Sequence, residues 1–291
     1  MTTNVLDRVK KHKWGRRMLA LKDQIGRDKV GIVAGGIALY ALLGIFPALV
    51  ALVSIAGLFL DQNQVQQQLS FISDSFPGEA GKLLTDQLTP LAGIGNGLLG
   101  LGIVIGLGAA IWSASTAVNN VFGAMQVAYD IEKGRGFLAT RGLAVLFAVG
   151  ALAVGTIMLI VLTFLPSVLD ALHVGAATDL LVTWGRWPLL ALVVFVSFVL
   201  IYRFGIRRKR AYWRPLLTGA LFGTAIWVAA SAGFAVYVAY FADYSQFYGG
   251  LSSVIVLLMW FLVSGFAILL GAELNAIIDR EKEEREQAPE S

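Results

Sequence analysis

No cysteine occurs in this chain, which excludes disulfides, thiolate nucleophiles and zinc–thiolate sites. Histidine is nearly as scarce. His12 and His173 are the only two, and the topology derived below puts them on opposite sides of a membrane, where they cannot share a metal or form a catalytic dyad. No GxxxxGKS or GxxxxGKT phosphate loop is present, so the chain cannot drive a pump with nucleotide by itself. Charge is sparse as well: 14% of the 291 residues are charged against 57% hydrophobic, with a mean hydropathy of +0.73. A soluble domain could not cover that much apolar surface, so the composition predicts an all-α polytopic membrane protein. An enzyme is not expected, because Ser113 or Ser115 as nucleophile would lack a nearby histidine base, and neither a cofactor nor a metal site is implied.

What charge there is falls in blocks. Residues 1–30 hold nine of the 23 Lys and Arg, with no short apolar core and cleavage site of the kind a removed signal peptide would need. Trp14, Met18, Leu21 and Ile25 recur at helical spacing while Lys11, Lys13, Arg16, Arg17 and Lys22 fill the other positions. This pattern suits a basic amphipathic arm lying on an anionic lipid leaflet. RNA binding is the rival use of such an arm, but this one runs directly into a membrane span, so no nucleic acid partner is expected.

Six apolar segments follow, at about 31–60, 98–125, 143–165, 184–204, 215–241 and 249–277, each long enough to cross a ~30 Å hydrocarbon core. Beyond the arm, basic residues recur at Lys133, Arg135 and Arg141, at Arg203, Arg207, Arg208, Lys209, Arg210 and Arg214, and at three positions in the tail 279–291. The intervening loops hold only Lys82 and Arg186. This alternation predicts six transmembrane helices with both termini cytoplasmic. Residues 61–96 read as two short amphipathic helices on the outer face, able to guard a cavity, dock an envelope protein or pack across the bundle. The tail reads as a solvated, partly helical end rather than a binding motif.

Polar groups inside the spans are the candidates for function. Pro47 kinks the first span. In WSASTAVNN, residues 112–120, Ser113, Thr116 and Asn120 share one helical face and Asn119 an adjacent one, so these groups are expected to point into the bundle. Glu273 is the only acidic residue inside a long apolar run, and Asn275 follows it. Depth counting from the span ends puts Tyr40, Ser113, Thr116, Asn119, Asn120 and Glu273 in one polar layer on the cytoplasmic side, with Lys29 or Arg141 as counter-charge. Glycine pairs in spans one, two and five permit close helix contact and leave self-association open.

The segments ALYALLGIFPALVAL (38–52), WSASTAVNN (112–120), RGFLATR (135–141) and YGGLSSVIVLLMWFLVSGFAILLGAELNA (248–276) together resemble the YihY/BrkB family of bacterial inner-membrane proteins. Where relatives often carry Ser after the YG, this chain has Gly250. The resemblance implies six helices and a role in envelope lipid or lipopolysaccharide-precursor traffic, with no catalytic residues to carry over. Some members once bore a ribonuclease BN label, which the scarcity of histidine here argues against. Two functions therefore stand as expectations. One is a permease-like protein, not ATP-driven, that handles an amphipathic envelope substrate through the polar layer. The other is a scaffold that docks an envelope protein through residues 61–96.

Overall fold

The computed structural model describes residues 13–56, 99–129, 131, 136–171, 177–205, 212–241 and 252–287. The expected outer insert at 61–96 lies outside them. The described residues form seven helices: α1 (Lys13–Arg27), α2 (Val30–Ala56), α3 (Leu99–Ala128), α4 (Phe137–Ala171), α5 (Ala177–Phe204), α6 (Trp213–Phe241) and α7 (Ser252–Gln287). Four contain stretches long and apolar enough to cross a membrane: Phe137–Met158, Trp187–Phe204, Trp213–Ala239 and Ser252–Gln287. A fifth is reached if α1 and the first part of α2, bent by 66°, are taken as one broken span.

Helix ends depart from the hydropathy boundaries in a consistent way. The third apolar segment was expected to stop at Pro166, yet α4 continues to Ala171. A proline removes one hydrogen bond, a loss that the neighbouring turns can absorb. The last segment shows the larger difference. α7 is 36 residues long, about 54 Å at 1.5 Å per residue, so it carries the helix well past the apolar stretch and through the charged run DREKEEREQ.

Between α1 and α2 the chain turns through a single left-handed residue, Lys29, at φ 49. Its N–H closes on the Gly26 carbonyl at 3.4 Å, and its own carbonyl accepts from Ile32 at 2.9 Å and Val33 at 3.2 Å, so one residue ends α1 and opens α2. A lysine held there costs roughly 1 kcal/mol relative to glycine.

Small residues set the spacing of the core. Ala34 and Ile37 of α2, Val121, Ala124, Met125 and Ala128 of α3, Phe198 and Tyr202 of α5, Leu216 and Ala220 of α6, and Leu269, Ala272 and Ala276 of α7 form one buried cluster. Outward, Ile32, Leu146, Ile157 and Leu221 are exposed, as lipid-facing residues would be. α4 joins from the side, its Phe147 edge-on to Phe122 at 5.5 Å and to Phe204 at 6.3 Å.

The tightest contact is between antiparallel α6 and α7, which meet at four-residue intervals. Gly219 donates its backbone N–H to Asn275 Oδ1 at 3.0 Å. Two turns up, Trp227 Nε1 donates to Ser264 at 3.0 Å, and beyond it Trp260 Nε1 donates to Ser231 at 3.3 Å. Interhelical hydrogen bonds in membranes average about 0.6 kcal/mol each, so these three contribute only about 2 kcal/mol together. Most of the cohesion comes from backbone proximity. A Cβ added to Gly271 would lie 2.7 Å from the Gly219 carbonyl oxygen, and one added to Gly223 would lie 3.0 Å from that of Ala267.

Gly271→Ala is expected to destabilise the fold by roughly 1–3 kcal/mol through overpacking. Gly150→Ala, where an added methyl meets open space, is the control. Thermal unfolding in detergent checks both; equal melting temperatures would show that the α6–α7 contact does not limit stability. In the same assay Lys29→Gly should be neutral or stabilising by up to about 1 kcal/mol, because the left-handed corner suits glycine.

Candidate functional site

The expected single polar layer separates into two storeys. Antiparallel α2 and α7 fix the axial register: a Cβ on Gly265 would sit 3.2 Å from the Ala34 carbonyl oxygen, and one on Gly31 would sit 3.5 Å from Phe266. Tyr40 lies roughly 9 Å beyond that contact in one direction, and Glu273 roughly 12 Å beyond it in the other, at 1.5 Å per residue. Ser113 is farther up still, packed where a Cβ on Gly44 would be 3.4 Å from its backbone. Tyr40, half-buried Pro47, Ser113 and Thr116 therefore share an upper storey, and Glu273 and Asn275 a lower one level with the α1–α2 corner. Asn119 and Asn120, both half-buried, lie on α3 between the two.

In the lower storey, burial is nearly complete. Glu273 and Asn275 are each 1% exposed. Asn275 bonds Gly219 through Oδ1, while its Nδ2 has no hydrogen-bond partner among the described residues. Tyr202, on α5, donates its hydroxyl to the Ile268 carbonyl at 2.6 Å and stands against Gly271. These contacts make the lower storey a packed joint. Lys29 is exposed at the corner.

The upper storey is different. Ser115 donates to the Trp112 carbonyl at 2.9 Å, Thr116 to the same carbonyl at 2.8 Å, and Asn120 Nδ2 to the Thr116 carbonyl at 3.0 Å. These groups satisfy themselves on their own helix. What reaches across is Arg141, from the first turns of α4. Its Nη1 donates to Thr116 Oγ1 at 3.2 Å, and its guanidinium carbon lies 4.2 Å from the centre of the Trp112 ring. Trp112 is itself 68% exposed. Arg141 Nη2 is buried and has no partner among the described residues. The counter-charge expected for Glu273 is thus engaged with α3 instead. A guanidinium offers five donors in a planar fork, and among the described residues Arg141 meets one side-chain acceptor, the neutral hydroxyl of Thr116.

A third polar region joins α1 to the end of α7. Arg17 is buried and donates from Nε and Nη2 to Glu281, with a shortest distance of 2.8 Å. Leu21 and Gln24 complete the docked face of α1, leaving Trp14 outward at 53% exposure. The arm expected on lipid and the tail expected in solvent therefore pack on each other. Sequence patterning identified both helices, but not which of many charges would pair. Arg280 adds a link to α3, donating to the Ala128 carbonyl at 3.2 Å, where a cation suits the negative helix end. Partial burial pushes the Glu281 carboxyl up, but the Arg17 hydrogen bond and the charges of Arg17, Lys13 and Arg285 outweigh it and hold it below the ordinary value.

A bundle of long apolar helices, with lipid-facing exteriors and polar groups confined to interhelical contacts, defines a polytopic α-helical membrane protein. The chain belongs to the family described as virulence factor BrkB, whose model matches residues 21–291. Among curated relatives it is 32% identical over 260 residues to the ribonuclease-like protein YfkH of Bacillus subtilis, covering 87% of this chain and 91% of that protein. It is 25% identical over 262 residues to a UPF0761 membrane protein of Pseudoalteromonas translucida, covering 87% and 83% respectively. A UPF0761 membrane protein of Photobacterium profundum is 26% identical over 270 residues, covering 90% and 81%. No solved structure matches the chain.

The depressed pKa of Glu281 makes the docking of α1 pH-dependent. A depressed carboxyl stabilises the docked form above its ordinary unfolded value, and that stability is lost as pH falls through the folded value. Exchange of the α1 amides, measured against their intrinsic rates, should therefore accelerate as pH falls through the depressed folded value in the wild type. In Glu281→Gln it should already be fast at pH 7; unchanged protection in that variant would show that the ion pair does not hold the arm.

Proposed function

We propose that the protein is a permease-like component of a bacterial inner membrane, not ATP-driven by itself, that handles an anionic amphipathic lipid of the envelope. Six spans with both termini cytoplasmic are part of this reading, supported by the distribution of Lys and Arg along the chain. So are membrane lipids as the partners. The observation that carries it is Arg141. An arginine inside a bundle costs about 3 kcal/mol on insertion scales, and such residues usually face an interior path or a partner. Here the guanidinium is held open by Thr116 on one edge and Trp112 on one face, with Nη2 left buried and unsatisfied among the described residues.

A phosphate or phosphate ester matches that fork in charge and geometry. Exposed Trp112 offers the apolar surface along which the rest of an amphipathic molecule can lie. Substrate would enter laterally between α3 and α4 rather than through the packed joint around Glu273 and Asn275. A phospholipid and a lipid-linked saccharide precursor both present this chemistry. The ribonuclease-like name of the Bacillus relative is not carried over: the chain has two histidines, and its described residues gather no cluster of three His, Asp or Glu side chains.

Translocation of a labelled anionic phospholipid in proteoliposomes tests the reading. Wild type should move the lipid, Arg141→Gln should do so at least tenfold more slowly, roughly the loss of one charge-assisted hydrogen bond of 1.5–3 kcal/mol, and Arg141→Lys should recover only part of the rate. If wild type moves no lipid while deletion of residues 65–91 abolishes co-purification of an envelope protein, the scaffold reading replaces this one. Glu273→Gln is expected to impair the rate through the α7 joint, with a lower melting temperature accompanying the loss.

A further inference from the structure

A second cluster of cationic side chains lies apart from Arg141, at the polar end of the bundle. The start of α1, the first turns of α6 and the charged end of α7 enclose a cleft of about 370 Å³. Lys13, Arg17, Arg214, Lys282 and Arg285 line it, against a single carboxylate, Glu281. That carboxylate is already bound by Arg17. Lys282 is balanced by Glu286 at 3.9 Å and lies over the Tyr212 ring. Lys13, Arg214 and Arg285 make no ion pair among the described residues, and although Lys13 and Arg285 act on Glu281 at longer range, the cleft is lined by five cations against that one carboxylate.

The walls are not uniformly polar. Pro215 and Ile278 form an apolar side, and Trp14 stands at the rim with half its surface exposed. Trp14 and Met18 were expected on the same apolar stripe as Leu21 and Ile25. The docked face is instead Arg17, Leu21 and Gln24, which leaves Met18 exposed and Trp14 half exposed beside the cleft, its ring 5.2 Å from the Arg17 guanidinium carbon. An exposed tryptophan beside basic residues at the end of membrane helices suits the lipid headgroup level.

We propose that this cleft binds the phosphate of an anionic phospholipid between Lys13, Arg214 and Arg285, with the glycerol and upper acyl part against Pro215, Ile278 and Trp14. The bound lipid completes the charge balance of the α1–α7 joint and fixes the arm at the membrane surface. This role does not depend on whether the Arg141 site moves a substrate.

Native mass spectrometry of the full chain in detergent, titrated with phosphatidylglycerol, phosphatidylcholine and glycerol 3-phosphate, tests it. Phosphatidylglycerol should bind in preference to phosphatidylcholine. Lys13→Gln combined with Arg214→Gln should weaken phosphatidylglycerol roughly thirtyfold, and Arg285→Gln alone about fivefold. Lys22→Gln, exposed on α1 outside the cleft, should change nothing. Running the series also in an Arg141→Gln background separates this site from the one between α3 and α4. Equal binding of the two lipids, or unchanged phosphatidylglycerol affinity in the cleft variants, would overturn the proposal. Displacement of the lipid by equimolar glycerol 3-phosphate would overturn it too, by marking a site for soluble phosphates.

Discussion

Close backbone contact between α6 and α7 is the constraint on which the rest of the bundle depends. Gly219 and Gly271 bring the two helices together so tightly that Asn275 can accept a hydrogen bond from the Gly219 backbone, and Tyr202 of α5 can reach the Ile268 carbonyl. With α7 fixed against α6 on one side and against α2 at Gly265 on another, its far end is committed to one direction. That end is what α1 docks on and what holds Arg280 under the last carbonyl of α3. In hydrocarbon, where apolar burial gives no advantage over lipid, such small-residue contacts replace the hydrophobic effect as the source of specificity.

The consequence is a division of labour by height. The lower storey, with Glu273 and Asn275, is packed and almost inaccessible, so its polar groups act as mechanical parts. The upper storey keeps an arginine whose fork is incompletely occupied among the described residues, beside an exposed aromatic ring. The anionic ligand proposed above suits the second arrangement rather than the first. The same distinction separates the part-buried Arg17–Glu281 pair, which builds the α1–α7 joint, from Lys13, Arg214 and Arg285 around it.

Much of this was legible in the sequence because it depends on single helices. Composition and apolar length predicted an all-helical membrane protein, and the spacing of Gly219 and Gly223 predicted a close helix contact. Thr116 was singled out as a polar group inside an apolar span, and Arg141 as a candidate counter-charge for Glu273. What was not legible is relational. Tyr40 and Glu273 were put at one depth by counting from span ends, but the axial register of α2 against α7 is set by where Ala34 meets Gly265, which neither helix encodes alone. The DREKEEREQ end of α7 read as solvated because its composition is that of a surface; only the approach of α1 turns Glu281 into a partly buried partner of Arg17. Trp112 looked like one member of a polar motif, and its role as a stacking surface required α4 to bring Arg141 over it.

The most direct test of the central claim is lipid capture at Trp112. With a photo-crosslinking amino acid in place of Trp112 and a radiolabelled anionic phospholipid in nanodiscs, the account predicts labelling of the full-length protein that falls sharply when Arg141→Gln is added. Equal labelling with and without the arginine, or equal capture of a zwitterionic lipid, would contradict it.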